Sequence, residues 1–134
     1  MDILKFLEEG DKYYLPNLSI DIVIIGYQDN ELKCLLLKIG GRWVLPGGYI
    51  KRDESVDTAA KGILKQRTAL GQAHLQFLSV FGRENRSFRE QFKEFAKEKG
   101  LTWREDYWIN SRFVTLSYYS LIDIQKADPW PGEA

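Results

Sequence analysis

The tripeptide Pro46-Gly47-Gly48 restricts the fold most, because the hydrophobic periodicity changes from strand-like to helical across it. Three segments before it are rich in aliphatic and β-branched side chains and predict strands, the first two joined as a hairpin: residues 19–25, 32–38 and 42–45. Residues 55–69 after it have helical apolar spacing, and Asp53 or Ser55 can cap the helix. Two glycines allow a tight turn, and a helix N-terminus attracts anions. Any functional surface is therefore expected around this turn.

The other segments continue an alternation of helices and strands. Residues 2–9 predict a short helix, and residues 75–81 and 112–122 predict strands. Ser87-Phe88-Arg89-Glu90 has the pattern of a capping box and predicts a second helix with a buried phenylalanine stripe. The order predicts one α/β (α+β) domain over residues 1–134, with a mixed sheet.

Composition limits the chemistry available to the chain. It has 19 Lys+Arg and 19 Asp+Glu, so it carries no net charge that would attract DNA or an anionic membrane. Its apolar runs are too short to span a membrane, and its one cysteine forms no internal disulfide, so we expect a cytoplasmic protein without a membrane partner. We expect Cys34 in the core and His74 in an exposed loop. One residue of each type argues against a zinc site and against a histidine-based nucleophile.

Residues 43–61 resemble the beginning of the Nudix box, the loop-helix-loop signature of hydrolases that act on nucleoside-diphosphate-linked substrates. The family pattern has a glycine, a spaced glutamate, an Arg-Glu pair and a Glu-Glu pair on the helix, and a closing glycine. Gly48 takes the first glycine position and Glu54 the first glutamate position. The resemblance implies a Nudix-type α/β/α sandwich with a mixed sheet.

The sequence departs from the family pattern at the metal-binding positions. The Arg-Glu pair falls on Gly62 and Ile63, the Glu-Glu pair falls on Gln66 and Arg67, and the closing glycine falls on Ala69. In the family, these glutamates hold divalent cations against a pyrophosphate. Hard cations need anionic oxygen ligands, which isoleucine and glutamine do not provide, and Arg67 adds a positive charge instead.

This departure favours binding over hydrolysis. We expect no catalytic residue beyond the remnant Glu54, no bound metal and no cofactor. The alternative is a Mg²⁺-dependent pyrophosphohydrolase of nucleoside-diphosphate-linked substrates, whose carboxylates come from outside the box, for example Glu84 or Glu90. A third possibility is a protein-interaction module that has kept only the scaffold.

Other segments resemble the Nudix-type domain of the NrtR class of bacterial transcriptional regulators: residues 18–27, 35–38, 78–82 with Arg86, and 112–121. The resemblance implies an effector sensor for ADP-ribose or a related nucleotide or sugar derivative. It also implies a homodimer. It divides the chain into an N-terminal extension, residues 1–16, and a domain with a helical insertion, residues 87–111. We expect the last Nudix elements and the winged helix to be absent, so these residues themselves would not bind DNA.

Candidate ligand-binding residues flank the turn and follow the predicted strand at 75–81: Arg42, Trp43, Gly47, Gly48, Arg52, Arg83 and Arg86. A guanidinium group suits phosphate because it donates hydrogen bonds in a planar fork. The alternative for the four arginines is a solvated surface position. Tyr118 or Tyr119 could stack on an adenine, but core packing is the favoured alternative, as it is for Trp103, Tyr107 and Trp108.

Overall fold

A computed structural model describes residues 2–39, 41–69 and 74–124. The helices within these ranges are α1 (Ile3–Glu9), α2 (Val56–Thr68) and α3 (Arg89–Glu98). The strands are β1 (Leu18–Gln28), β2 (Glu31–Cys34), β3 (Leu37–Ile39), β4 (Arg42–Val44), β5 (Gly47–Gly48), β6 (Gln76–Phe81) and β7 (Val114–Asp123). Two 3₁₀ turns span Gly10–Lys12 and Trp108–Asn110. The sequence analysis expects the last elements of the fold and the winged helix to be absent. This expectation concerns residues after 124, which lie outside the described ranges.

The main sheet is mixed, as predicted. Its strands run in the order β2-β1-β7-β6, and β5 also pairs with β1. β1 and β7 are parallel, whereas the other pairs are antiparallel. The β1–β2 hairpin turns at Asp29 and Asn30, which have φ values of 54° and 61°. Asp and Asn tolerate this left-handed conformation, which explains the predicted turn.

The segment 32–38, predicted as one strand, is two strands in different sheets. β2 continues the hairpin, and Leu35 N still donates to Ile24 O over 2.9 Å. The chain then leaves the main sheet, buries Leu37 and pairs β3 with β4 in a two-stranded sheet. The predicted core position of Cys34 was also wrong, because Cys34 is exposed on β2. His74 is exposed, as predicted.

Two apolar clusters join the helices to the sheet. In the first, Ile20, Ile22 and Ile24 of β1 pack with Ile63 and Leu64 of α2. The alternation of β1 places every second side chain on this face, so α2 covers one face of the main sheet.

The second cluster lies next to the start of β7, where α1, α3 and the Trp108–Asn110 turn meet around Phe113. Trp108 Nε1 donates to Phe6 O over 2.8 Å, which links the turn to α1. Tyr107 and Trp108 are buried, as the packing interpretation predicts.

The predicted capping box does not form. The N-cap of α3 is Phe88, which makes no side-chain capping hydrogen bond. The preceding segment is instead tied to the residue before β7, since Phe113 N donates to Arg86 O over 2.8 Å. None of the described helices has the length and apolar character needed to cross a membrane.

Candidate functional site

The double-glycine turn forms a short strand against β1. Gly47 pairs with Asp21 and Gly48 pairs with Ile20, and Ile22 N donates to Pro46 O over 2.8 Å. A Cβ atom on Gly47 would lie 2.6 Å from both Asp21 Oδ1 and Ile20 O. The close approach to β1 therefore requires glycine at position 47.

The helix after the turn begins as the sequence predicts. Ser55 is the N-cap of α2, and its Oγ accepts a hydrogen bond from Thr58 N over 3.1 Å. Glu54 has a local structural contact, because its Oε1 accepts from Lys51 N over 2.9 Å. Both contacts stabilise the path from the turn into the helix.

The helix face with the predicted departures packs against the turn. Ala59 and Ile63 are buried, Gln66 is exposed and Arg67 is partly buried. The Nη2 group of Arg67 donates to the carbonyl oxygen of Gly47 over 3.4 Å, a long hydrogen bond. A positive charge from α2 therefore lies against the double-glycine turn.

A second arginine reaches the same region from the segment after β6. Arg86 Nη2 lies 3.5 Å from Asp21 Oδ2. Its Nε donates to Thr115 Oγ1 over 2.9 Å, and Thr115 shares a buried 2.8 Å hydrogen bond with Ser19 Oγ. β1 and β7 thus hold the guanidinium group in place, and Asp21 connects it to Gly47.

Burial perturbs the ionisation of the groups around Gly47. Burial raises the pKa of Asp21 from 3.8 to about 6, although the Arg86 charge opposes the rise. Burial also raises the pKa of Tyr49. The Asp21 charge adds to that rise, and the Arg67 charge opposes it. Asp21, Tyr49 and Arg67 are therefore electrostatically coupled at the turn, and Arg86 is coupled to Asp21.

The other candidate residues have different surroundings. Arg42 forms a two-point contact with Glu94 of α3, with both N–O distances 2.9 Å. Arg52 donates twice to Asp11 O, over 3.0 and 2.7 Å. Trp43 is exposed beneath the Lys38 ammonium, and Arg83 is exposed. The described contacts therefore link Arg86 to the double-glycine turn through Asp21, whereas Arg42 and Arg52 are engaged with other elements.

The sequence interpretation did not assign a role to Asp21 or Thr115. Asp21 had a detectable signal, because it is the one charged residue among the apolar side chains of residues 19–25. A charge in such a segment requires a partner or a function. Thr115 had no such signal, since threonine is common in strands.

The donor atoms at the turn do not suit Mg²⁺. The helix face presents Ile63, Gln66 and Arg67, and the carboxylate beside Gly47, Asp21, faces Arg86. Residues 2–39, 41–69 and 74–124 contain no cluster of three or more His, Cys, Asp or Glu side chains able to hold a metal ion. Mg²⁺ prefers several oxygen ligands in octahedral geometry, and these side chains do not supply such a set.

Solved structures with the same architecture identify the fold. The NUDIX domain of Shewanella oneidensis NrtR complexed with ADP ribose matches 100% of this chain and 80% of its own, with 23% identity and a TM-score of 0.63. The chain has a Nudix fold. No protein-family model matches the sequence, and no curated protein matches it.

Two further solved structures extend the comparison. Shewanella oneidensis NrtR complexed with a 27mer DNA is 26% identical, with a TM-score of 0.60; the match covers 82% of this chain and 44% of that one. The Ap4A hydrolase of C. elegans is 11% identical, with a TM-score of 0.57, and the match covers 90% and 79% of the two chains. This chain thus spans less than half the length of the DNA-bound NrtR. These neighbours therefore include a protein complexed with DNA as well as a hydrolase.

Proposed function

We propose that this Nudix domain binds a phosphorylated small molecule, ADP-ribose or a related nucleotide or sugar derivative, and does not hydrolyse it. The observation that carries the proposal is the pair of guanidinium groups around the turn, Arg67 at Gly47 O and Arg86 at Asp21. Arginine donates several hydrogen bonds and keeps its charge, which suits a diphosphate. The NrtR neighbour complexed with ADP ribose supports this ligand class.

The environment of the turn supports binding without hydrolysis. Hydrolysis of a diphosphate needs a water that is activated and charge that is neutralised in the transition state, commonly by metal ions. The helix face at Ile63 and Gln66 has no carboxylate to hold such an ion, and Glu54 is bonded to the backbone of Lys51.

We further propose that the domain is the effector sensor of a transcriptional regulator, as the NrtR neighbours suggest. A ligand shifts a regulator only if it binds two states unequally. The chain has no net charge, so the proposal assigns it ligand binding and not DNA binding.

Calorimetric titration with ADP-ribose in EDTA tests the proposal. We expect binding by the wild type, and weakening by about ten-fold or more in Arg86→Ala, because a hydrogen bond to a charged group contributes about 1.5–3 kcal/mol. Arg104→Ala is the matched control, since Arg104 pairs with the exposed Asp106 and should bind like the wild type. Absence of ADP-ribose binding would contradict the proposed ligand class.

A hydrolysis assay separates the sensor from the hydrolase. ADP-ribose is incubated with the protein and Mg²⁺, and AMP and ribose 5-phosphate are sought by chromatography. We expect intact ADP-ribose. Metal-dependent release of both products, lost in Glu54→Gln, would instead establish the pyrophosphohydrolase alternative.

We also propose that the homodimer expected from the NrtR resemblance forms through β6. This strand lies at one end of the main sheet, and it carries no charged side chain. Phe77, Leu78, Val80 and Phe81 are each 49–56% exposed. An uncharged apolar edge strand readily pairs with another copy of itself.

Light scattering after size-exclusion chromatography tests the dimer. We expect a dimeric wild type and a monomeric Val80→Lys, because lysine disrupts edge pairing. Leu32→Lys on β2, where Leu32 is 75% exposed, is the matched control and should stay dimeric. A monomeric wild type at about 50 μM would contradict the proposal, since specific dimers are usually tighter.

A further inference from the structure

Asp21 and Arg86 form an ion pair inside the site, where each side chain is largely buried. Their side chains are 25% and 31% exposed, and the contact distance is 3.5 Å. The Nε group of Arg86 donates a hydrogen bond to Thr115, and this contact fixes the guanidinium group. Arginine has five N–H donors, so the contacts to Thr115 and Asp21 leave donors available to a ligand. A ligand phosphate at Arg86 would therefore lie close to the Asp21 carboxylate.

We propose that Asp21 competes with the ligand for Arg86, so that a phosphorylated ligand binds the protein only when Asp21 carries a proton, and binding takes up a proton from solution. This inference rests on the proposed function, and it adds a regulation of that site by pH. It makes Asp21 an affinity-determining residue, although no contact between Asp21 and the ligand is required.

The charges around Asp21 explain why ligand binding is coupled to the protonation of Asp21. The described charged or titratable groups coupled to Asp21 come from two segments: Arg86 after β6 and Tyr49 after β5. The charge of Arg67, at the end of α2, acts on Tyr49. Its neighbours on β7 carry hydroxyl groups and no charge. With Asp21 ionised, the Asp21–Arg86 pair has no net charge. With Asp21 protonated, the pair presents one positive charge to an anion.

Ligand binding with an ionised Asp21 would leave two anions around one guanidinium group. Like charges at contact distance repel, and more strongly where burial excludes water. A partly buried carboxylate that loses its cation to a ligand also loses the interaction that compensates for its burial. Protonation removes both costs, because the neutral carboxyl group can remain beside Gly47.

The expected pH dependence follows from the pKa of Asp21. With a pKa of about 6, roughly half of the free protein has a protonated Asp21 at pH 6, and about 1% at pH 8. The apparent dissociation constant is the intrinsic value divided by the competent fraction. We therefore expect the apparent dissociation constant to rise by about 50-fold between pH 6 and pH 8.

Isothermal titration calorimetry of the whole chain with ADP-ribose in EDTA tests the proposal. Its diphosphate keeps a constant charge between pH 6 and pH 8, so the probe itself adds no pH dependence. Titrations at pH 7 in buffers with different ionisation enthalpies measure proton uptake directly in the wild type. We expect uptake of about 0.9 proton per ligand, the fraction ionised at that pH. Zero uptake overturns the proposal without any variant.

Asp21→Asn provides the second measurement. Asparagine keeps the shape of the side chain without its charge, so we expect the variant to bind without pH dependence, at pH 8 about two-fold more tightly than the wild type does at pH 6. Asp106→Asn is the matched control, because it removes an exposed Asp–Arg contact, and it should keep the wild-type pH dependence.

The outcomes separate this inference from the proposed function. Wild-type binding that is equally tight at pH 6 and pH 8 overturns the role of Asp21 and leaves the sensor proposal intact. A pH dependence that persists in Asp21→Asn also overturns it, because a group other than Asp21 would then carry the effect. Absence of binding by both proteins at every pH overturns the proposed function, and this inference with it.

Discussion

Replacement of Gly47 by alanine tests whether the double-glycine turn is required by its close approach to β1. The added Cβ atom would lie 2.6 Å from Ile20 O and 2.6 Å from Asp21 Oδ1. In proteins a Cβ atom essentially never lies within 3.0 Å of a non-bonded heavy atom, so both distances are strongly repulsive. The Asp21 side chain can rotate, but the Ile20 carbonyl belongs to a strand whose side chains are buried in the first cluster. β5 must therefore move away from β1.

The expected cost follows from similar overpacking in protein interiors. Such substitutions destabilise by about 1–3 kcal/mol. In a chain of this size, 1 kcal/mol corresponds to about 3–4 °C in melting temperature, so we expect Gly47→Ala to lower the melting temperature by about 3–12 °C. Gly62→Ala is the matched control, because a Cβ there meets nothing within 4 Å. Alanine favours a helix interior by about 0.5–1 kcal/mol, so this variant should melt higher than the wild type.

Circular dichroism melts at pH 7 measure both variants. A Gly47→Ala protein that melts at or above the wild-type temperature refutes the argument from close approach. Gly48→Ala adds a graded comparison, since its Cβ would lie 3.0 Å from Ile63 Cδ1, the end of a flexible side chain. We expect a smaller loss for Gly48→Ala than for Gly47→Ala, and the reverse order would also contradict the reasoning.

Three other predictions concern stability. The raised pKa of Asp21 gives stability that is complete below pH 3.8 and lost as the pH rises through about 6. We therefore expect the unfolding free energy of Asp21→Asn, measured by urea denaturation, to increase relative to that of the wild type by up to about 3 kcal/mol between pH 4 and pH 7. A difference in unfolding free energy that stays constant over this pH range contradicts this expectation. Ala69 ends α2 with φ of 63°, so Ala69→Gly should stabilise the fold by about 0.5–1 kcal/mol in thermal melts, because the left-handed conformation disfavours alanine. Ser55→Ala should lower the unfolding free energy by about 1 kcal/mol, because α2 loses its N-cap. Ser87 caps no helix, so Ser87→Ala should leave the unfolding free energy unchanged. Equal effects of the two substitutions would show that the cap is not the cause.

The turn and the helix after it could be predicted because their signals are local. Glycine permits the close approach at position 47, and a serine before a helical pattern caps its first turn. The capping box at residues 87–90 was a local signal that failed. Its segment is tied to Phe113 by the Arg86 carbonyl, and α3 begins after that contact without a side-chain cap. Tertiary contacts can therefore displace a cap that the sequence favours.

The segment 32–38 shows a similar limit for strands. Its apolar character predicted a strand, and strands form there. The place where the chain leaves β1 depends on the burial of Leu37 and on its pairing with Val44. Such a division between two sheets depends on partners distant in sequence, and periodicity along one segment does not contain that information.

The sequence alone determined the kinds of element, the position of the glycine turn, and the absence of carboxylates from positions 63, 66 and 67 of α2. These features depend on residues that are close in sequence, because hydrophobic spacing and turn chemistry act over only a few positions. The tertiary structure decided which charges meet. It brought Asp21 into contact with Arg86, which also donates to Thr115, and it paired Arg42 with Glu94. Ionic contacts depend on distance in space, and parallel pairing of β1 with β7 brings together groups that are far apart along the chain.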